Sequence, residues 1–224
     1  VVIFDLQPPP AAAAIDAWER VDVTDWEAVS DAVDRIVNRT GAIDVVIANA
    51  GISVRRPFLE MSAKDVQSVI DVNLLGVMAL WQAAARHMVR ARRGVLLATA
   101  STNGSAGYPR YADYNATKAA VLALSRTLAL ELAPHVRTAC VSPGYVLTPM
   151  QRTEYSDAQL DALNRRIPAR RHANPDEVAA AFAYLASAEA SYITGQEIVI
   201  DGGELAGSTA ADHGIAFPDP TEDP

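Results

Sequence analysis

The sequence predicts an α/β protein, a doubly wound parallel sheet with helices on both faces. Short apolar runs alternate with amphipathic stretches along the chain, the order expected of successive β-α-β units. The runs are continuous rather than alternating in polarity, as strands are when both faces of their sheet are covered. At 224 residues the chain can bury the core of one such domain.

The elements follow in order. Residues 1–6 read as a buried strand and 18–23 as a short one. Residues 26–38 form a helix that Thr24 or Asp25 can cap. The triple proline Pro8-Pro9-Pro10 and the four alanines behind it make a short connection or a minimal helix. A strand at 43–48 leads to a long helix at 63–91, a strand at 95–100 to a second long helix at 111–132. Residues 136–142 are a strand, 175–186 a helix capped by Asn174, and 197–201 the last strand. One domain is expected over 1–203, with an irregular tail rich in Gly, Ser, Thr, Pro and acids over 204–224.

Composition excludes several function classes. Half of the residues are hydrophobic and the net charge is −8, which disfavours nucleic acid or an anionic membrane as partner. The apolar start lacks the basic flank and length of a signal peptide. No uninterrupted apolar run approaches the roughly 20 residues of a membrane span. Cys140 is the only cysteine, so no internal disulfide forms and a reducing, cytoplasmic setting is expected. It sits in an apolar run, as a packing residue would. His87, His135, His172 and His213 are scattered without ligand spacing, so no metal site is expected.

The chemistry concentrates at Tyr114-Asn115-Ala116-Thr117-Lys118, with Ser101 upstream. On a helix Tyr114 and Lys118 share a face, and a nearby ammonium lowers a phenol's pKa toward a useful range. Ser101 ends a strand, at the carboxyl edge where ligands bind in such sheets; as a turn residue it would also be unremarked. Ala48-Asn49-Ala50-Gly51 follows another strand, and Gly51 would let the backbone approach a cofactor closely. Asn73 places an amide inside an apolar helix, either as a satisfied core group or as a holder of an active-site water. Pro143-Gly144 through Thr148-Pro149 follows a further strand end.

Together these motifs resemble the classical short-chain dehydrogenase/reductase family, in its order and spacing, from Val1 to about Gly203. The resemblance implies a Rossmann-type fold and a catalytic tetrad of Asn73, Ser101, Tyr114 and Lys118. It implies that Asp22-Val23 contact adenine, that Asn49, Ala50 and Gly51 line the cofactor, and that Pro143, Gly144 and Thr148 contact the nicotinamide carboxamide. Ile193 to Gln196 and Val199 to Gly203 match the family's closing strand. One departure is large. The family's glycine-rich turn, with the first strand and helix around it, is missing, a segment of roughly 30 residues. The opening strand therefore corresponds to the family's second. The segment is expected to be lost from the record or from the N-terminus, rather than absent by nature. Were it truly absent, nothing obvious would hold the pyrophosphate, and two strand edges would lie open.

The implied mechanism is hydride transfer between nicotinamide C4 and a substrate carbon. Tyr114 serves as acid/base and Ser101 binds the reacting oxygen. Lys118 lowers the Tyr114 pKa and binds ribose hydroxyls, while Asn73 holds a relay water. Asp5 ends the first strand, where a carboxylate accepts the ribose hydroxyls and repels a 2′-phosphate, so NAD is expected over NADP. The substrate is a small alcohol or ketone, selected by Arg55-Arg56-Pro57, residues 105–110 and residues 150–171. The last of these carries Arg152, Arg165, Arg166, Arg170 and Arg171 and is either a lid or a solvated surface. A 3-oxoacyl-thioester reductase and a non-catalytic subunit of the same fold are the alternatives. A homodimer or homotetramer is expected, through the small apolar faces around Ala79, Ala83, Ala84, Ala119, Ala120, Ala123 and Leu124.

Overall fold

A computed structural model describes residues 1–10 and 15–207. The four alanines after Pro10 and most of the expected tail lie outside the described residues.

Parallel strands alternate with helices as expected. The strands are β1 (Val2–Asp5), β2 (Ala17–Arg20), β3 (Val45–Ala48), β4 (Gly94–Thr99), β5 (Val136–Pro143) and β6 (Gln196–Ile200). The helices are α1 (Trp26–Thr40), α2 (Ala63–Ile70), α3 (Gly76–Ala91), α4 (Ala112–Glu131), α5 (Pro149–Glu154), α6 (Asp157–Asn164) and α7 (Pro175–Ala186). Capping residues set their starts. Asp25, not Thr24, accepts from the Ala28 amide at 3.0 Å, and Asn174 forms a capping box with Glu177 at α7. Residues 63–91 are one continuous helical stretch, interrupted by a π-helical turn at Asp71–Leu75. Such turns insert an extra residue and are frequent at functional sites; this one carries Asn73.

All strand pairing is parallel. β3-β4-β5-β6 form one sheet and β1-β2 a separate pair. The break falls between β1 and β3, which line opposite sides of one groove with Val23, Val72 and Gly76. Among the described residues no strand lies between them, so both present an unpaired edge, as expected for a sheet without its first strand.

One face of the larger sheet packs on α3 and α4 through Val46, Leu96, Ala98, Trp81, Met88 and Val121. Trp81 is fully buried and its indole N–H donates to the Leu97 carbonyl at 3.2 Å, which satisfies its one polar group. The other face packs on α7 through Leu97, Val141, Phe182 and Leu185. β4 and β5 are thus covered on both faces, which explains their continuous apolar runs. β3 is not: Val45 and Ile47, which point to the α7 face, are 37% and 42% exposed.

By length and composition 63–91 could cross a membrane, yet charged residues interrupt it, as the sequence reading has it, and it is the core helix of the domain, with Val69, Asn73, Trp81, Ala84 and Met88 buried. One expectation needs correction. Of the small apolar residues expected at an interface, Ala79 and Ala83 are buried against α1, and Ala84 against the sheet. Ala119 and Ala123 stay exposed. The outward groove of these helices is lined by Met78, Ala85, Val89, Leu124 and Leu128, with Trp26 at its rim. The helical repeat dictates this: residues one step away from the buried stripe face outward.

Candidate active site

Three strand ends and one helix build the site. β4 runs into Ser101, which opens a 3₁₀ turn at Thr102–Gly104 and accepts from the Asn103 amide at 3.2 Å. Its hydroxyl donates to the Asn103 side-chain oxygen, also at 3.2 Å. The Asn103 amide in turn donates to Asn115 at 2.6 Å, and Asn115 donates to the Tyr108 carbonyl at 3.0 Å. This chain of amides fixes the Ser101 turn against the first turn of α4.

Tyr114 and Lys118 lie on α4, one turn apart, with the ammonium 5.5 Å from the centre of the phenol ring. Lys118 is buried, and its Nζ donates to the Thr99 carbonyl at the end of β4 at 2.7 Å. Burial pulls its pKa down to about 8, because the charged form loses hydration. Tyr114 moves the other way: burial pushes it up to about 12, against the pull of the neighbouring Ser101 hydroxyl. Burial therefore dominates the Tyr114 pKa, and the group that eases the phenol toward ionisation is Ser101.

Asn73 is fully buried, and its bonds go to the protein. Its side-chain oxygen accepts from the Ile52 amide at 2.8 Å, and its Nδ2 donates to the Ile52 carbonyl at 2.9 Å. Both backbone groups of Ile52 are satisfied by one side chain, which clamps the loop after β3 onto the π-turn. Gly51 lies within that clamp: a methyl group there would stand 3.4 Å from Asn73 Oδ1 and 3.6 Å from Lys118 Nζ. Asn49 is tied to the same strand ends, accepting from the Thr99 hydroxyl at 2.7 Å.

The residues expected around a cofactor fall into distinct places. Asp5, Val23, Asn49 and Ala50 line the groove between β1 and β3. Asp22 folds its carboxylate onto Thr24, accepting from the amide at 2.9 Å and the hydroxyl at 2.8 Å, and both bonds lower its pKa. Val23 packs beneath Gly76, where an added methyl would meet it at 2.9 Å. Pro143 ends β5, and Gly144 follows at the wall of a polar cleft next to Ser101 and Tyr114. Thr148 lines neither space; it caps α5. At the carboxyl ends of β3 and β4, Asn49, Thr99 and Lys118 are joined by hydrogen bonds. An acidic strand end, small residues and a deep approach beside Lys118 fit an extended dinucleotide.

Several cleft residues carry no signal in the sequence. Glu154, on α5, bonds the Ser53 hydroxyl and accepts from the Tyr111 hydroxyl at 2.9 Å. Tyr111 also meets the Tyr155 hydroxyl at 3.0 Å. Glu204, assigned to an irregular tail, packs where a side chain on Gly144 would collide with its carboxylate at 2.8 Å. Burial raises its pKa. Arg171, expected to shape this region, pairs instead with Glu177 at 2.7 Å, and among the described residues no Arg or Lys lines the cleft. Arg55 stacks over the Tyr155 ring at 4.9 Å, and Arg166 and Arg55 both act on Tyr145 from nearby. Cys140 is buried in the core with its thiol pushed up to about 11, as packing rather than chemistry requires. Among the described residues no cluster of metal-ligating side chains occurs.

Comparison with known proteins agrees with this geometry. A family model described as Enoyl-(Acyl carrier protein) reductase matches residues 8–204. The 3-oxoacyl-[acyl-carrier-protein] reductase FabG of Thermotoga maritima is 39% identical over 184 residues, 82% of this chain and 74% of the relative. The 3beta-hydroxysteroid dehydrogenase 1 of Eggerthella lenta is 39% identical over 196 residues, 86% of this chain and 74% of the relative. Among solved structures, a gluconate 5-dehydrogenase from Burkholderia cenocepacia, in complex with NADP and tartrate, superposes with a TM-score of 0.82 at 33% identity. The match covers 86% of this chain and 76% of that one.

The buried amine gives a test of the site's electrostatics. Between about pH 8 and its ordinary 10.5, Lys118 carries a proton in the unfolded chain that the folded chain has released. The unfolded state then binds more protons, so the Lys118 contribution to stability rises with pH across that window. Urea unfolding of the wild type and Lys118→Met should show a difference that moves in favour of wild type from pH 8 to pH 10. A difference that stays flat would show that the amine is not desolvated.

Proposed function

The chain belongs to the short-chain dehydrogenase/reductase family, a family of oxidoreductases, and on that premise we propose that it interconverts a secondary alcohol and a ketone with NAD(H). The observation that carries the proposal is the meeting of Ser101, Tyr114 and Lys118 between a polar cleft and a dinucleotide-sized groove.

A bound nicotinamide dinucleotide supplies or accepts the hydride; the residues of the chain manage the proton and the geometry. Tyr114 takes the alcohol proton, or returns it to the ketone. Ser101 hydrogen-bonds the reacting oxygen and stabilises the charge developing there. Lys118 holds the nicotinamide ribose hydroxyls, and Asn73 steadies the Ile52 turn beside a water that links Lys118 to solvent. Asp22 and Val23 would receive the adenine, and Asn49, Ala50 and Gly51 would line the cofactor. Pro143 and Gly144 would receive the carboxamide side; Thr148, expected with them, caps α5 instead.

Asp5 supports NAD over NADP. Its carboxylate would bond the ribose hydroxyls and repel a 2′-phosphate, and no Arg or Lys lines its groove. The gluconate 5-dehydrogenase structure holds NADP, so the NAD reading rests on this chain's own Asp5. A cytoplasmic setting belongs to the same proposal, supported by a lone, buried thiol. So does a homo-oligomer, supported by the apolar groove between α3 and α4. The 3-oxoacyl-thioester reductase reading draws on the 39% identity to FabG, and the cleft's carboxylates oppose it.

Tyr114→Phe removes only the hydroxyl that moves the proton, so it should cut turnover by about 10²- to 10⁴-fold without loss of fold. The assay follows reduced-nicotinamide absorbance across a panel of alcohols and ketones. Retention of more than about a tenth of the activity would contradict the acid/base role. Sedimentation equilibrium at micromolar concentration should give a dimer or tetramer, and a monomer would remove the interface from the account.

A further inference from the structure

The cleft beside Ser101 and Tyr114 has a cavity volume of about 80 Å³, opens to solvent, and is rich in donors and acceptors. Its walls carry the hydroxyls of Tyr108, Tyr111, Tyr145 and Tyr155 together with Glu154 and Gln151. Glu154 is held in place by Ser53 and Tyr111, one to each carboxylate oxygen. Each of those oxygens keeps a further lone pair for a ligand. Gln151 Oε1 is buried without a hydrogen-bond partner. A buried acceptor left unpaired is costly, so this oxygen awaits a donor that a ligand would bring.

The chemistry of that ligand follows by comparison of classes. An apolar alcohol would leave the orphan Gln151 acceptor unpaired. An anionic substrate, carboxylate or phosphorylated, would enter a cleft that has a carboxylate on its wall and no lining Lys or Arg. The guanidinium of Arg55 sits outside, stacked on Tyr155. An ammonium would suit the carboxylates but can only donate, which leaves the tyrosine hydroxyls without an acceptor. A molecule with several hydroxyl groups both donates and accepts at each one. Tyrosine hydroxyls are neutral donors at neutral pH, and burial pushes those of Tyr108, Tyr111 and Tyr145 further up, Tyr145 to about 12.

We propose that the substrate of this site is a neutral polyhydroxylated molecule, a sugar alcohol, sugar or cyclitol, whose further hydroxyls are bound by Glu154 and Gln151 while Ser101 and Tyr114 hold the reacting one. The proposal rests on the alcohol/ketone chemistry of the preceding section. The net conversion is a secondary alcohol and oxidised nicotinamide dinucleotide to a ketone, reduced nicotinamide dinucleotide and a proton. A carbinol C–H and an O–H bond break, and the second bond of the carbonyl forms.

The full-length protein is assayed with glucitol, mannitol and myo-inositol against butan-2-ol, 3-hydroxybutyrate and 1-aminopropan-2-ol. At least one polyol should exceed butan-2-ol in kcat/KM by about tenfold or more, since a site built for hydroxyls discriminates against ligands lacking them. Glu154→Gln should lower the ratio of polyol to butan-2-ol kcat/KM about fivefold or more, chiefly through a higher KM for the polyol. Gln151→Leu provides a second variant with the same expected fall in that ratio, should Glu154→Gln fail to fold. Preference for butan-2-ol, the hydroxy acid or the amino alcohol would overturn the polyol proposal alone. An unchanged ratio in a folded variant would do the same. Absence of turnover on every alcohol, and on the corresponding ketones, would overturn the oxidoreductase reading and this proposal with it.

Discussion

The Lys118 ammonium, donating to the carbonyl of Thr99, ties the helix that carries Tyr114 to the strand that delivers Ser101. A charge this deeply buried costs stability, which its lowered pKa records. Around the bond everything else takes its position. Asn49 grips the side chain of the same Thr99, and Asn73 clamps the loop at Gly51, which lies against Lys118. The end of β3, the end of β4, the π-turn and α4 therefore converge on one amine. The strain of holding it there is offset by two covered sheet faces, whose apolar layers fix β4 and β5 from above and below.

From this centre the two halves of the site differ in character. Toward β1 the groove is apolar with Asp5 at its mouth, suited to a flat base and ribose hydroxyls. Toward α5 the cleft is polar, with tyrosine hydroxyls and carboxylates facing inward. Tyr114 stands at the border, and its high pKa in the cofactor-free protein follows from desolvation. A cationic neighbour can lower the phenol only if it is close and charged in a poorly solvated place. Lys118 instead spends its charge on Thr99.

Much of the fold was legible because both coverage and chemistry leave periodic or positional marks. The double burial of β4 and β5 made continuous apolar runs, and caps at Asp25 and Asn174 marked helix starts. Tyr114, Lys118 and Ser101 were legible because their spacing on a helix and at a strand end brings them together by geometry. The outward faces of α3 and α4 were not, since alanine serves equally well inside and outside; Ala79 and Ala83 proved to be core. The π-turn left no trace, because one extra residue in an apolar helix hardly alters its pattern. Glu154 and Glu204 were hidden because an isolated acid reads as a solvated one until tertiary contacts bury it. The arginines of 150–171 left a lid and a solvated surface equally open, because abundance in sequence does not say where a side chain points; Arg171, for one, pairs with Glu177.

The central claim is that the chain moves a hydride between a carbinol carbon and the nicotinamide ring, with the proton taken by Tyr114. The most direct measurement uses a secondary alcohol deuterated at its carbinol carbon, with NMR of the nicotinamide product. The label should be recovered at C4 of the reduced ring, on one face and without loss to water. Label found in solvent, or an undeuterated ring formed at full rate, would contradict the account.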